Sequence, residues 1–556
     1  SLLNKLYSWR EKRGKSRLNK KNEKKDPFAL FGKGSSFFIM KLSEISLKNT
    51  FTRVFTVVFL TAFSIAVVYL LIPKAEYLPQ GNRNLVLSLI IPPPGASVEK
   101  MNELGEYIKN ETKPYFENDW KDEIPQISDI WYVGTENITL FGGVSTHETE
   151  ASKMVPLFMR IVNSLPDMFG VSFQAGIFQS DLGGGRTIDI NLKGTDLDVL
   201  TGIGGAFYGS LMQNLPGIQI RPIPSLETTY PEVHIIPDKE KLAASGYTEA
   251  ELGLYVDIIM DGRKIDEFRP EGKNQLDLVL KSPKSGYATP EDVINTQIVN
   301  KDANLMRIGD VAALEYSLGM NQINHLERKR NITLQITPPD DLPIQEAVSI
   351  IEEKIVNDFK AKGMLENIEV EIGGNASKLK TTISSLSWNF ILAVVIIYLL
   401  MSALFENFFY PLIILFTVPL AGAGGFIGLR LVDAFVAPQP LDILAMLGFI
   451  ILVGTVVNNA ILVVHQSLNN LRYNKMGHME AIKESVSTRI RPIFMSTTTT
   501  LFGMLPLVLS TGAGSELYRG LGSILLGGLA VSTLFTLFVI PALLAFAIKM
   551  EVLTND

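Results

Sequence analysis

Cysteine is absent from all 556 residues, which excludes disulfides and thiolate metal sites. That fits a domain exposed to an oxidising space without requiring one. Charge is missing from a more telling place. The last third of the chain holds five long apolar runs whose interiors carry no Asp, Glu, Lys or Arg. Charged groups are expensive at bilayer depth, so these runs read as membrane spans without a titratable centre. No nucleotide signature is found either: Gly183–Gly185 lacks the strand–helix setting and the GK[ST] ending of a phosphate loop, which argues against ATP-driven work by this chain. No signal peptide is visible, because the first apolar stretch follows a basic segment and is long enough to span. The chain begins with Ser rather than Met, which points to a processed product or part of a longer chain.

What is present divides the chain. Apolar residues make up 47%, too many for disorder and few enough to require a soluble portion beside the spans. The net charge of -6 conceals an asymmetry: residues 1–53 carry 14 Lys or Arg against 4 acids, leaving 37 cations against 53 acids in the rest. A basic segment just before a span reads as cytoplasmic under the positive-inside rule, and it reads equally as a solvated tail. Val54–Ile72 is the first span, long enough for ~30 Å of hydrocarbon. A polar region of about 310 residues follows, then candidate spans at Leu386–Phe405, Pro411–Leu431, Leu444–Val464, Ile493–Ser510 and Leu521–Ile548. With the N-terminus inside, the loop 465–492 also falls inside and carries Arg472, Lys475, Lys483, Arg489 and Arg491, as the rule requires.

The large polar region reads as α+β. Strand-like Leu85–Ile91, a helix capped by Ser97 over Lys100–Tyr115, a strand at Ile127–Val133, a helix over Glu148–Ser164 and a strand over Val171–Ala175 make one βαβ-type unit. The order recurs from Thr187 through a helix near Leu197–Gln213 to Ile218–Ile223. Glu346–Lys360 and Ile368–Ile372 close the second unit. Two split βαβ units are predicted, the second interrupted by an insertion over about 231–314.

The polar residues within the spans form a seam. Asn458 and Asn459 lie about 100° apart on a helix and face different neighbours. As buried amides they read first as glue between helices, and second as part of a proton or ion path. Ser496, Thr497 and Thr500 share one face. They bond back to carbonyls, line a hydrated channel or allow close packing, and composition does not separate these. His465, at the inner end of its span, reads as interfacial rather than as a titrating group. Small residues at Ala421–Gly425 and Gly520–Gly528 predict close helix approach, and Pro419 and Pro506 predict kinks. Trp131 and Tyr132 point to opposite faces of their strand, so one enters a core while the other is free to line a cleft.

The order of one span, a large region of paired βαβ units and five clustered spans resembles the RND (resistance–nodulation–division) superfamily. ALFENFFYPLIILFTVPLAGAG from Ala403, GTVVNNAILVV from Gly454, TRIRPIFMSTTTTLFGMLPLVLSTGAG from Thr488 and VIPALL from Val539 carry the likeness. Together they look like the C-terminal half of a hydrophobe/amphiphile efflux pump. The resemblance implies an α-helical bundle of six transmembrane helices with an α+β periplasmic domain. Residues 1–53 would be a basic cytoplasmic segment, 54–72 the first helix, 76–175 and 176–375 two porter subdomains, 386–548 five helices and 549–556 a cytoplasmic tail. The insertion would be the docking element. It further implies a missing N-terminal half, a homotrimer in the inner membrane, a periplasmic adaptor, an outer-membrane channel, contact with membrane lipids, and no cofactor beyond the proton gradient. It implies a secondary transporter and not an enzyme.

Site residues follow from the same likeness. Asn458 stands where the family's relay has a lysine, and Asn459 matches the amide beside it. Arg489 and Ser496 align with the arginine and hydroxyl of the eleventh span, with Thr497 next to them. Without the lysine, the carboxylates of the other half lose a permanent cationic partner and their pKa should rise. For the drug pocket the likeness points to Trp131 and Tyr132, with Phe141 and Phe158 as further candidates. The lysine-to-asparagine departure also keeps open a non-exporting scaffold or accessory subunit of the superfamily, of the translocation- or lipid-handling kind. The size of the insertion argues against that reading.

Overall fold

A computed structural model describes residues 40–555 apart from 80–82, 94–95, 118, 136–137, 167, 177–185, 225, 227–229, 284–288, 300–302, 320–321, 340 and 513. Most of the basic N-terminal segment and Gly183–Gly185 therefore lie outside the described residues. The chain divides into two compact units: 1–194, 202–221 and 333–556 in one, and 195–201 with 222–332 in the other.

In the first unit a helix, α1 (Thr50–Leu71), leads into the strand β1 (Leu85–Ile91). There follow α2 (Val98–Thr112), β2 (Ile127–Gly134), β3 (Thr139–Ser145), α3 (Val155–Asn163) and β4 (Phe169–Gln174). Ser97 accepts the Lys100 amide at 3.3 Å and so fixes the start of α2, as its position before the apolar-periodic run predicts. The sheet order is β2-β3-β1-β4 with antiparallel pairing of β2–β3, β3–β1 and β1–β4, a split βαβ arrangement. Its core gathers Val86, Ile90, Leu104, Ile127, Phe141 and Phe158 from both layers. The predicted helix over Glu148–Ser164 is shorter: a 3₁₀ turn, Ala151–Met154, precedes α3, and Pro156 sits in the first helical turn.

The second βαβ set repeats the plan. It contains β5 (Ile188–Gly194), α4 (Leu197–Asn214), β6 (Gln219–Ile223), β7 (Lys329–Thr337), a helical stretch from α5 (Ile344–Ile350) to Ala361, and β8 (Glu369–Gly373). The path runs β7-β5-β8 with β6 on the far side of β7, the same order as in the first sheet. Buried Lys193 of β5 reaches Glu369 at 3.2 Å and Glu371 at 2.8 Å on β8.

Six helices among the described residues are long and apolar enough to cross a membrane. Besides α1 these are α6 (Gly374–Phe405), α7 (Phe409–Phe435), α8 (Ile443–Arg472), α9 (His478–Leu509) and α10 (Glu516–Asn555, apolar to Ile548). α6 and α9 begin well ahead of the predicted spans, because hydropathy marks the hydrocarbon-facing part and the helices continue through polar turns. α7 and α10 meet at glycine. A Cβ on Gly428 would fall 2.3 Å from the Ser523 carbonyl, and one on Gly527 would fall 2.3 Å from the Gly424 carbonyl. Only a residue without a side chain permits that approach.

The second unit packs Leu242, Leu252, Ile259, Val293 and Val311 into its own core. Its ends are tied by antiparallel pairing of Tyr230–Pro237 with Ala312–Gly319. A hairpin of Arg263–Phe268 and Leu276–Leu280 is exposed along both strands, on apolar and polar residues alike. The unit's bounds are wider than the predicted 231–314.

Candidate functional site

The seam resolves into two polar layers. In the middle of α8, Asn459 is 4% exposed and its amide donates to Thr497 Oγ1 on α9 and to Thr533 Oγ1 on α10, both at 3.2 Å. The two threonine oxygens are 3.2 Å apart. Thr533 commits its own proton to the Leu529 carbonyl at 2.6 Å, so Thr497 is the donor to Thr533. Each of these hydrogens has one acceptor, and three helices are tied at one level. Seven residues further along α8, roughly 10 Å by helical rise, Gln466 accepts from Arg489 Nε at 3.1 Å and from a second guanidinium nitrogen. Gln466 in turn donates to Asn470 at 2.9 Å, and Asn470 donates to the Ala481 carbonyl and to Ser485 Oγ at 3.3 and 3.1 Å. Arg489 therefore belongs to this second layer and not with Asn459.

Asn458 and Ser496 are placed differently. Each adjoins a member of the triad in sequence, yet both are exposed on their helices. Ser496 returns its hydroxyl to the Ile493 carbonyl at 3.0 Å, and Thr500 bonds back to Ser496 at 3.0 Å. Back-bonding is thus what Ser496, Thr499 and Thr500 do, whereas Thr497 bonds across helices. Exposed His465 contacts Asn469 on its own helix. Thr533 escaped the sequence reading; its signal was the Ser532–Thr533 pair inside an otherwise apolar run.

A second cluster lies where α1 leaves the bundle. Buried Glu76 takes Arg186 at 2.9 Å and the Ile344 amide at 3.2 Å, while its own amide donates to the Leu441 carbonyl. The next element begins with Asp442, fully buried as the N-cap of α8, accepting Ala445 N–H at 2.6 Å and the Gln439 side-chain amide at 3.4 Å. Burial away from water, with the nearby Glu76 carboxylate adding to it, pushes the Asp442 carboxyl up to about 7. The native state thus holds a proton that the unfolded chain loses above its ordinary value of 3.8. Stability is expected to fall as pH rises from about 4 to 7 and to level off beyond. Asp442→Asn keeps the cap and should flatten that slope in thermal melts across this range. An unchanged slope would assign it to other groups.

The aromatic candidates separate. Phe141 and Phe158 are fully buried and pack with ring centroids 5.1 Å apart and planes tilted by 32°, a location that builds the core of the first sheet. Tyr132 turns inward and donates its hydroxyl to the Met101 carbonyl at 2.7 Å. Trp131, 37% exposed, lies on the other face over Gly142, where a Cβ would come within 2.7 Å of its ring. None of the four lines the large cavity of this subdomain. That cavity, ≈ 900 Å³, is bounded by Trp120, Ile124, Leu157, Lys153 and Arg160, with Asp122 and Glu123 at its edge. Lys153 stands 4.7 Å over the Trp120 ring, and Arg160 donates to Tyr115 Oη at 3.2 Å. Trp120, Asp122 and Glu123 all take left-handed backbone angles, with φ of 56, 52 and 64°. Among the described residues no three His, Cys, Asp or Glu side chains gather as metal ligands.

Six helices long and apolar enough to cross a membrane, two βαβ units of equal strand order and a polar triad closed between three of those helices describe a multi-pass membrane protein. The profile of the AcrB/AcrD/AcrF family matches residues 19–547, and the chain belongs to that family, whose members are secondary transporters of the RND type. A crystal structure of a heavy metal efflux pump superposes with a TM-score of 0.72 at 21% identity, over 93% of this chain and 53% of the other. At that identity the likeness shows the fold. The chain spans about half the length of that solved relative.

Proposed function

We propose that this chain acts as one six-helix half of a proton-driven inner-membrane efflux transporter for amphiphilic or hydrophobic compounds, with its soluble regions in the periplasm. The observation that carries this reading is the division of the seam. Asn459, Thr497 and Thr533 satisfy one another, whereas Asn458 and Ser496 stand beside them on uncovered helix surface. An uncovered amide halfway along a span is costly in hydrocarbon and is satisfied when a second set of helices brings polar partners to it. The span of about half of the solved pump's chain supports the same arrangement.

In this reading the protons bind to carboxylates of the other half, and Asn458 faces them. An amide suits both protonation states: its N–H donates to a carboxylate, and its carbonyl accepts from a carboxylic acid. A lysine only donates. Proton release and uptake then change which Asn458 group is engaged, while the Asn459 triad and the Arg489–Gln466 layer hold α8, α9 and α10 in register.

The two βαβ units serve as porter subdomains at 76–175 and 176–375, and the second unit serves as the docking element. Its exposed hairpin fits assembly as a homotrimer, with an adaptor and outer-membrane channel beyond. The cavity bounded by Trp120 and Leu157, with Lys153 and Arg160 beside them, has the volume of a drug-sized site and suits a substrate with an apolar body and an anionic end. Trp131 is the remaining aromatic candidate from the sequence, and Trp131→Ala is expected to narrow the range of exported compounds. An unchanged range would remove it from the pocket.

The test of the function is protection of a pump-deficient strain expressing this chain with its natural partners. Lower accumulation of dyes and bile salts is expected. Protection against metal salts alone would move the reading to the cargo named for the solved relative, and no protection would favour a scaffold.

A further inference from the structure

The start of α1 carries a cavity of ≈ 510 Å³ that the efflux reading does not use. A short helix over 40–47 packs there against the end of the bundle: Leu47 is buried among Ile482, Val486, Leu544 and Ile548, and Ser46 Oγ donates to the Phe538 carbonyl at 3.4 Å. The cavity lies between this helix, the first turn of α1 and the first turns of α9. Its floor is apolar, from Ile45, Leu47 and Met479. Its rim holds Lys41, Lys48, Arg53 and Lys483, against a single carboxylate, Glu44. Arg53 is held in place by bonds from Nε and Nη2 to the Leu47 carbonyl at 3.2 and 3.0 Å. Lys41, Lys48 and Lys483 are exposed, and no described carboxylate forms an ion pair with any of them.

The surroundings say what a ligand would be. Further along α1, on exposed positions that begin about 160° around the helix from Arg53, Phe51, Phe55, Phe59 and Phe63 stack in a ladder with successive centroids 6.4, 5.6 and 6.4 Å apart. Phe51, Phe55, Phe59 and Phe63 are all exposed. A cationic pocket with apolar side chains in its lining thus opens at the end of a membrane-crossing helix. Cations at this level attract phosphate, and the apolar side chains beside them suit a molecule that is anionic at one end and apolar at the other.

We infer that this pocket binds the headgroup of an anionic phospholipid, its phosphate between Lys41, Lys48, Arg53 and Lys483. Occupancy would pin the short helix to α1 and α9 at the basic face of the membrane. A lipid phosphodiester and free inorganic phosphate share the headgroup chemistry, and the pocket's place at the end of a span, with Ile45, Leu47 and Met479 in its lining, favours the lipid.

The experiment uses the full chain, with its natural partners, in neutral detergent micelles. Thermal melts are recorded with added phosphatidylglycerol, with phosphatidylcholine, or with inorganic phosphate at matched concentration. A raised midpoint with phosphatidylglycerol alone is expected. Lys41→Gln and Lys483→Gln should each weaken the lipid's effect about fivefold, and the Lys→Arg forms should retain it. Arg53 is left intact because it also holds Leu47. If a Gln variant does not fold, the same titration on its Glu44→Gln counterpart should show tighter lipid binding, since a like charge is removed. A shift reproduced by inorganic phosphate would make this a free-anion site and overturn the lipid assignment. An equal shift with phosphatidylcholine, or Gln variants that respond like wild type, would overturn the site itself.

Discussion

Gly527→Leu is expected to prevent the membrane bundle from closing, read as loss of the monodisperse peak when detergent extracts are sized by chromatography. At this crossing the backbones of α7 and α10 touch. A Cβ on Gly527 would sit 2.3 Å from the Gly424 carbonyl and 2.6 Å from Gly428 Cα. The opposing atoms are main chain, so no rotamer change relieves the clash, and the helices must separate. Separation would also strip packing from Ala421, Leu452 and Ile524, which meet in the adjoining core. Ordinary overpacking by a methylene costs about 1–3 kcal/mol, and four added carbons against backbone should exceed it. Gly422→Leu is the matched control: it lies on α7, the other helix of the crossing, and a Cβ there meets nothing within 4 Å. A Gly527→Leu protein that extracts and elutes like wild type would contradict the crossing.

The second large effect separates two adjacent amides. Asn458→Leu is expected to leave the thermal midpoint near wild type and to reduce export roughly ten- to hundredfold, the equivalent of the ~1.5–3 kcal/mol of a hydrogen bond to a charged group. Its effect on the pH dependence of export should be equally plain, because the residue is proposed to face the proton-binding carboxylates. Asn459→Leu should do the reverse. It strands Thr497 and Thr533 among apolar neighbours and should lower stability by about 1–2 kcal/mol, with export falling only as folded protein is lost. The contrast follows from their places: 100° of helical rotation puts one amide in a closed triad and the other on open surface. Equal loss of stability in both variants would assign both to packing.

Much of this was legible in the chain. The apolar runs gave all six spans, since a stretch without charge that is long enough to cross hydrocarbon has few other readings. The alternation of strand and helix signals gave both βαβ units, and the small residues at 421–425 and 520–528 predicted close helix approach, though not that the two clusters meet each other. Some features were hidden for physical reasons. β3, TLFGGVS, is weakened by Gly142 and Gly143, whose lack of a side chain makes room for Trp131 and Phe158. Thr533 looked like a lone hydroxyl until the fold brought Asn459 and Thr497 to it from 74 and 36 positions away. The cavity beside Trp120 depends on three left-handed residues that no periodicity reports. Phe141 and Phe158 show the converse: an aromatic residue in a strand or helix of a core is indistinguishable in sequence from one in a pocket.

The most direct measurement exploits the sequence's lack of cysteine less than its open amide. A photo-crosslinking residue, p-benzoylphenylalanine, is placed at 458 in cells expressing the chain with its natural partners, and the crosslinked peptide is identified by mass spectrometry. The expected product is a transmembrane peptide carrying an Asp or Glu, from a helix set other than these six. Crosslinks to lipid alone, or to a span without a carboxylate, would contradict the proton-coupled half-transporter.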